Sequence, residues 1–256
     1  MRNLVNTTIE NKTGIIELNR PDVRNALNLA LRLEFQAAVE AMDEDPKVQV
    51  IILTGAGRTF CAGRDLKAAK AGELLYRDRL EASRTFQRAG TRKPVIAAVE
   101  GYALGGGFEL ALSCDLIIAA ESAKFGLPEV KRNLVAIGGG LIRLPVRAPY
   151  HVAMNWALTG KMIAPAELER WGIVAQVTEH GGALNAAKLL SREITANGPS
   201  ALRATKEIIR NSHEWGSEKE AWDAQMAMAD PALKSTDHSE GIQAFIEKRE
   251  PRWVDN

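Results

Sequence analysis

Two spacings of apolar residues take turns along this chain, and their order predicts its elements. "TGIIELNRP" (13–21) alternates before meeting Pro21, the pattern of a strand that ends in a turn. Asn28 is placed to cap the next helix, because Leu31, Phe35, Ala38 and Met42 recur at helical spacing until "DEDPK" stops it. "VQVIILTGAG" (48–57) is a nearly unbroken β-branched run, as expected of a strand covered on both faces. The rhythm returns with "KPVIAAVEG" (93–101, strand), a helix after three successive glycines, "DLIIAA" (115–120, strand), "HVAMNWALTG" (151–160, helix) and "WGIVAQVT" (171–178, strand). Alternation of this kind predicts an α/β layered fold.

From about Asn197 the strands stop. "GPSALRATKEIIRNS", "SEKEAWDAQMAMAD" and "HSEGIQAFIEKREP" read as successive helices, so the chain divides into a core, 1–196, and a C-terminal helical region, 197–256. Trp222, Met226 and Leu233 are more apolar surface than such short helices bury alone, and are expected to cover the core or a neighbouring subunit. Between Lys67 and Arg92 a charged, helix-prone stretch interrupts two strands. It reads either as a solvated helix or as a mobile flap over a ligand.

Composition narrows the function. At 256 residues the chain can bury a large core, and its 46% hydrophobic and 25% charged residues are those of an ordinary globular protein. Its 33 basic and 32 acidic side chains leave a formal charge of +1 without long blocks of either sign, so a nucleic-acid or membrane-surface partner is not expected. No run approaches the roughly 18 apolar residues that span a bilayer, and the N-terminus lacks the apolar core of a secretory signal. Cys61 and Cys114 show no CxxC spacing and sit in apolar segments, as for buried thiols in a reducing compartment; a cytoplasmic location is expected.

The candidate chemistry sits in two glycine-containing turns that follow strands, "TFCAGRDLKAA" (59–69) and "GYALGGGFELAL" (101–112). A helix start offers amides without intrahelical partners and a partial positive charge, so two such turns side by side can aim amides at one point. The backbone N–H groups of Arg64 and Gly106 are the candidate donors to a developing oxyanion. Both turns serve equally well as tight strand-to-helix connections. Neither is a GxGxxG or a phosphate loop, no serine lies in GxSxG, and the four histidines fit no metal or triad spacing. What remains beside the glycines is acid: Glu109 in the first helical turn and Glu129 in "KFGLPEVKRN". Singly, each reads as a dipole complement or a solvated side chain. Paired in a cleft, they can act as general acid and base if the site raises at least one pKa.

"NRPDVRNALN", "ILTGAGRTFCAGRDL", "GYALGGGFELALSCDLIIAAESAKFGLPE", "LTGKMIAPAELERWGIV" and "EGIQAFIEKREP" together resemble the enoyl-CoA hydratase/isomerase superfamily, the crotonases, over residues 8 to 253. The resemblance implies a spiral of ββα units, a helical C-terminal region that mediates trimers often paired into hexamers, and a substrate carried as a coenzyme A thioester. It implies no metal and no redox cofactor, coenzyme A entering only as part of the substrate. The thioester carbonyl is expected between the amides of Arg64 and Gly106. Glu129 is expected to give a proton to Cα and Glu109 to act as base toward water. Two acids favour hydration or its reverse over isomerisation, thioester hydrolysis or a purely binding role.

For coenzyme A, the resemblance implies contacts from Val23, Arg24 and Ala26, from Ala62, Asp65 and Leu66, and from Phe245 and Lys248, the last two possibly of another subunit. The pattern departs from the family where many hydratases carry Pro-Gly and this chain has Ala136-Ile137, followed by Gly138-Gly139-Gly140. Ile137 is therefore expected at the acyl pocket, or else marks a compensated packing change. "GRDLKAA" and "EGIQAFIEKREPRW" are similar to the crotonobetainyl-CoA hydratase branch and to other bacterial paralogues.

Overall fold

A computed structural model describes residues 3–74 and 76–255. In chain order its elements are β1 (Val5–Glu10), β2 (Thr13–Leu18), α1 (Leu29–Glu44), β3 (Val50–Gly55), α2 (Leu66–Lys70), α3 (Arg79–Arg84), α4 (Phe86–Ala89), β4 (Val95–Val99), β5 (Tyr102–Leu104) and α5 (Gly106–Ser113). There follow β6 (Leu116–Ala120), β7 (Lys124–Gly126), α6 (Gly140–Arg147), α7 (Tyr150–Thr159), α8 (Pro165–Arg170), β8 (Gln176–Thr178), α9 (Ala183–Thr195), α10 (Pro199–Asn211), α11 (Glu218–Leu233) and α12 (Thr236–Glu247).

Six strands form one sheet in the order β1-β2-β3-β4-β6-β8, parallel except for the β1–β2 hairpin, while β5 and β7 pair in a second, parallel sheet. Two successive turns of chain, β4-β5-α5 and β6-β7-α6, thus give one strand to each sheet and then a helix. This is the ββα spiral expected from the resemblance. Strand alternation explains why the apolar runs are nearly continuous: Val50 and Ile52 face Ala183 and Ala187 of α9, whereas Ile51 and Leu53 join the larger core on the opposite face. β1 buries only Val5, so its alternation is weak and the run 171–178 is likewise strand only at 176–178.

The helix after Asn28 begins as expected, the Asn28 side chain accepting from Leu31 N at 3.0 Å. The charged stretch from 67 to 92 is not one helix; it breaks into α2, α3 and α4, with Asp65 and Asp78 capping the first two. Helix α11 buries none of its residues in this chain. Trp222, Met226 and Leu233 are all exposed, which removes the expectation that they cover the chain's own core.

One buried side chain organises the approach to the site. Asn25, in the left-handed region at φ 55°, accepts from Arg20 N at 2.8 Å and donates to Ala56 O at 3.0 Å and Thr59 O at 2.6 Å. It thereby ties the segment before α1 to the loop after β3. Asn25→Ala strands one buried and two half-buried backbone groups, and a loss of about 2–4 kcal/mol in unfolding free energy is expected by denaturant titration.

Candidate active site

The two glycine turns meet because the sheets bring their strands together. Cys61 N donates to Tyr102 O at 2.8 Å and Leu104 N to Cys61 O at 3.0 Å, splicing the first turn onto β5. On its other side, Leu27 N donates to Gly63 O at 2.7 Å and Asp65 N to Leu27 O at 2.9 Å, which holds the peptides flanking Arg64. Gly105 turns the chain into α5 at φ 52° and ψ −124°, a conformation that suits glycine alone, and leaves Gly106 at the first helical position. A Cβ on Gly106 would stand 4.0 Å from the Arg64 nitrogen. Among the described residues neither the Arg64 nor the Gly106 amide donates to an acceptor of the chain. The sequence-predicted donor pair is thus brought together, with both N–H groups unspent.

The acids lie on either side of this pair. Glu109, in the first turn of the mostly apolar α5, is 4% exposed. Its Oε1 accepts from Gly140 N at 2.9 Å, and the Gly138 amide adds a second bond. Burial pushes the Glu109 pKa up, against these two amides and the charge of Arg143. The close approach needs glycine: a Cβ on Gly138 would lie 2.6 Å from Glu109 Oε2. Glu129 sits in the short 3-10 turn Pro128–Arg132, straight after β7, which pairs with β5 and so places this turn over Gly105. A Cβ on Gly105 would fall 2.7 Å from Glu129 Oε1, while Oε2 is buried with no hydrogen-bond partner among the described residues. Burial raises the Glu129 pKa, its own amide opposes the shift, and the Glu109 charge raises it further. The two carboxyl groups therefore feel one another.

A cavity of about 350 Å³ lies between α1 and the segment 76–87, lined by Leu27 and by Leu110, the residue after Glu109, together with Arg32, Tyr76 and Gln87. Leu27 touches the amide pair, its Cδ1 lying 3.2 Å from a Cβ placed on Gly106. The Tyr76 hydroxyl, raised in pKa mainly by burial, also feels the Glu109 charge. Ile137 takes no part in this cavity. It is 67% exposed, and the backbone of Gly138 and Gly140, rather than the Ile137 side chain, faces Glu109.

The residues expected at coenzyme A fall into two groups. Val23, Arg24 and Ala26 adjoin Ala62, Asp65 and Leu66, because Ala62 N donates to Arg24 O at 3.0 Å and Arg20 pairs with Asp65 at 3.2 Å while also donating to Ala26 O. Val23, Arg24 and Leu66 are exposed; the Arg24 guanidinium lies 5.4 Å from the centre of the Tyr102 ring. The Asp65 carboxylate is spent on Arg20 and on capping α2 at Lys67 N and Ala68 N, so it holds the loop rather than standing free. Phe245, 85% exposed, lines a separate cleft with Ser200, Leu233 and Trp253, and Lys248 closes α12 in the left-handed conformation. Neither is joined to the first group within one chain by a hydrogen bond or ion pair among the described residues.

Sequence reasoning missed the amides of Gly138 and Gly140 and the residue that fixes them. Arg143 donates to Gly138 O at 3.4 Å and to Gln87 O, tying this turn to α4. The signal was present: "GGG" at 138–140 repeats the run at 105–107 that marked the first site. Both thiols are buried, and burial pushes Cys61 up to about 12, which makes it a packing group rather than a nucleophile. Among the described residues no group of three or more His, Cys, Asp or Glu is placed to hold a metal, and no helix is long and apolar enough to cross a membrane.

The crystal structure of an enoyl-CoA hydratase from Mycobacterium marinum has the same fold, with a TM-score of 0.95 and 46% identity, 100% of each chain being covered. An enoyl-CoA hydratase of Mycobacterium tuberculosis is 40% identical over 249 residues, 94% of this chain and 92% of that protein. A mevalonyl-coenzyme A hydratase of Aspergillus fumigatus is 38% identical over 243 residues, 93% and 90% respectively. Fold and sequence together define a crotonase-type α/β enzyme. The chain belongs to the enoyl-CoA hydratase/isomerase family, whose model matches residues 8–256.

Proposed function

We propose that this enoyl-CoA hydratase binds an α,β-unsaturated acyl-CoA with the thioester oxygen between the amides of Arg64 and Gly106, and adds water across the double bond using Glu109 and Glu129. The observation that carries the reading is the meeting of two unspent amides beside a buried Glu129 oxygen that has no partner. Such donors stabilise charge as it develops on the oxygen and need no reorganisation at that moment.

In this reading one water lies between the acids. Its oxygen bonds to Cβ while its proton passes to Glu109, and Glu129, whose pKa is raised by burial and by its neighbour's charge, gives a proton to Cα. Solvent exchange then returns a proton from Glu109 to Glu129. Two backbone amides, those of Gly138 and Gly140 on a turn braced by Arg143, keep the Glu109 carboxyl group aimed. The acyl chain runs past Glu109 into the 350 Å³ cavity, and the coenzyme A moiety lies along residues 23–26 and 62–66, where Arg24 is available to its phosphates.

The chain is proposed to act as a homotrimer or a pair of trimers in the cytoplasm. Ile142, Val146, Tyr150 and Leu158 recur at four- and eight-residue steps along α6 and α7, all exposed, and Phe245 and Ile246 add an apolar surface on α12. A neighbour covering α12 would let Phe245 and Lys248 reach that neighbour's coenzyme A. The buried, unpaired thiols suit a reducing compartment.

The test is incubation with a panel of short 2-enoyl-CoA thioesters beginning with crotonyl-CoA. Loss of the conjugated thioester absorbance is expected. Silence in this assay together with double-bond migration in a 3-enoyl-CoA would replace hydration by isomerisation.

A further inference from the structure

Although most of its lining surface is apolar, the cavity between α1 and the segment 76–87 carries charged groups that a hydrocarbon tail does not require. Helix α1 explains the lining. Its residues Leu31, Phe35, Val39 and Met42 are buried in the core, and the row Arg32, Gln36 and Glu40, four apart, is turned toward the segment 76–87. Two members of that row are satisfied, Gln36 accepting from Phe86 N at 2.8 Å and donating to Glu40 at 2.9 Å. Arg32 is not. Its side chain is only 12% exposed, yet it makes a single hydrogen bond among the described residues, from Nη2 to Glu81 at 3.3 Å. The guanidinium lies 4.6 Å from the centre of the Tyr76 ring, which orients it without consuming its N–H donors.

Arg32 shares its carboxylate partner with Arg77. Glu81 already accepts from the backbone N and Nε of Arg77, each at 2.8 Å, so two guanidinium groups share one carboxylate. Asp78 turns its Oδ1 to Glu81 N at 2.7 Å, and Glu40 holds Gln36. Every carboxylate lining the cavity has a donor, whereas Arg32 keeps most of its five donors free and the Tyr76 hydroxyl has no partner among the described residues. An apolar tail here would exclude water from a half-paired guanidinium and return nothing.

We propose that the acyl group selected by this site ends in a carboxylate, which Arg32 and the Tyr76 hydroxyl receive in the cavity between α1 and the segment 76–87. The substrate is then the coenzyme A half-thioester of a short unsaturated dicarboxylic acid. The proposal rests on the hydratase reading above and adds to it the chemistry of the far end. Arg32 supplies a fork that matches a carboxylate with two parallel N–H bonds, and Tyr76 serves both as its platform and as a third donor.

The experiment compares initial hydration rates for three thioesters that differ only at the terminal carbon: crotonyl-CoA, its carboxylated analogue glutaconyl-CoA, and the trimethylammonium-bearing analogue. For the wild-type protein, kcat/KM for glutaconyl-CoA is expected to exceed that for crotonyl-CoA by about 10-fold or more, in line with a charge-assisted pair. The ratio should collapse toward one in Arg32→Met and fall by a smaller factor in Tyr76→Phe. A wild-type ratio of one or below, preference for the cationic analogue, or an unchanged ratio in a folded Arg32→Met protein overturns the proposal while leaving hydration standing. If none of the three is turned over, the hydratase reading falls, and calorimetric binding of glutaryl-CoA against butyryl-CoA still decides the role of Arg32. Should Arg32→Met not fold, the wild-type ratio and Arg32→Lys, which keeps the charge but not the fork, carry the test.

Discussion

Glu129→Gln is expected to lower the hydration rate by about 10² to 10⁴-fold, the range for removal of a positioned proton donor, while raising thermal stability at pH 8. The two effects have one cause. Glu129 is a carboxyl group whose Oε2 is buried without a partner and whose pKa burial pushes above its ordinary value of 4.5. A group with a raised folded-state pKa contributes stability that is complete below its unfolded value and is lost as pH rises through the folded value. At pH 8 the unfolded chain ionises this carboxyl group freely while burial in the native state opposes its ionisation, and glutamine removes that burden at nearly the same size. Glu109→Gln should behave alike in sign, with a smaller gain, because it gives up the charge-assisted bonds from Gly140 and Gly138. Steady-state kinetics and a melting curve on each variant check both signs. A variant that loses activity and stability together would make Glu129 a structural group. The double variant should cost little more in rate than the worse single one, since the two acids act on one water.

The position of these acids was legible in the sequence to different depths. Asn28, the strands at 50–55 and 95–99, and the two glycine turns could be read because each is a local rule: a cap, a β-branched run, a backbone needing glycine. Glu109 could be placed at a helix start for the same reason. What surrounds it could not, since Gly138 and Gly140 come from 29 and 31 residues further on and meet it only through the path of β6 and β7. The stretch 67–92 misled because charge spacing alone favours one solvated helix. The breaks into α2, α3 and α4 come from the caps at Asp65 and Asp78 and from bonds to α1 such as Gln36 to Phe86 N, which are tertiary. Ile137 was read, by analogy with a Pro-Gly pair, as an acyl-pocket residue or a compensated packing change; its side chain is exposed in the single chain, while the glycine backbone that follows faces Glu109.

Gly106→Pro should cut turnover by about 10² to 10³-fold with little change in the melting temperature, because it deletes one N–H and leaves the helix in place. Gly106 is the first residue of α5, where the N–H has no intrahelical acceptor and proline is well accommodated. The restriction that proline imposes on the preceding residue arises largely from that residue's Cβ, which Gly105 lacks. The new Cβ meets Leu27 Cδ1 at 3.2 Å, the end of a side chain that can move. Gly106→Ala supplies the control, since alanine adds the same Cβ and retains the donor. The ratio of alanine to proline activity then reports loss of the N–H together with the ring Cδ that takes its place in front of the thioester oxygen, so affinity for an unreactive acyl-CoA should fall along with kcat. Equal activities in the two variants would mean that the Gly106 amide does not face the reacting carbonyl, and the Arg64 amide beside it would lose its assigned role as well.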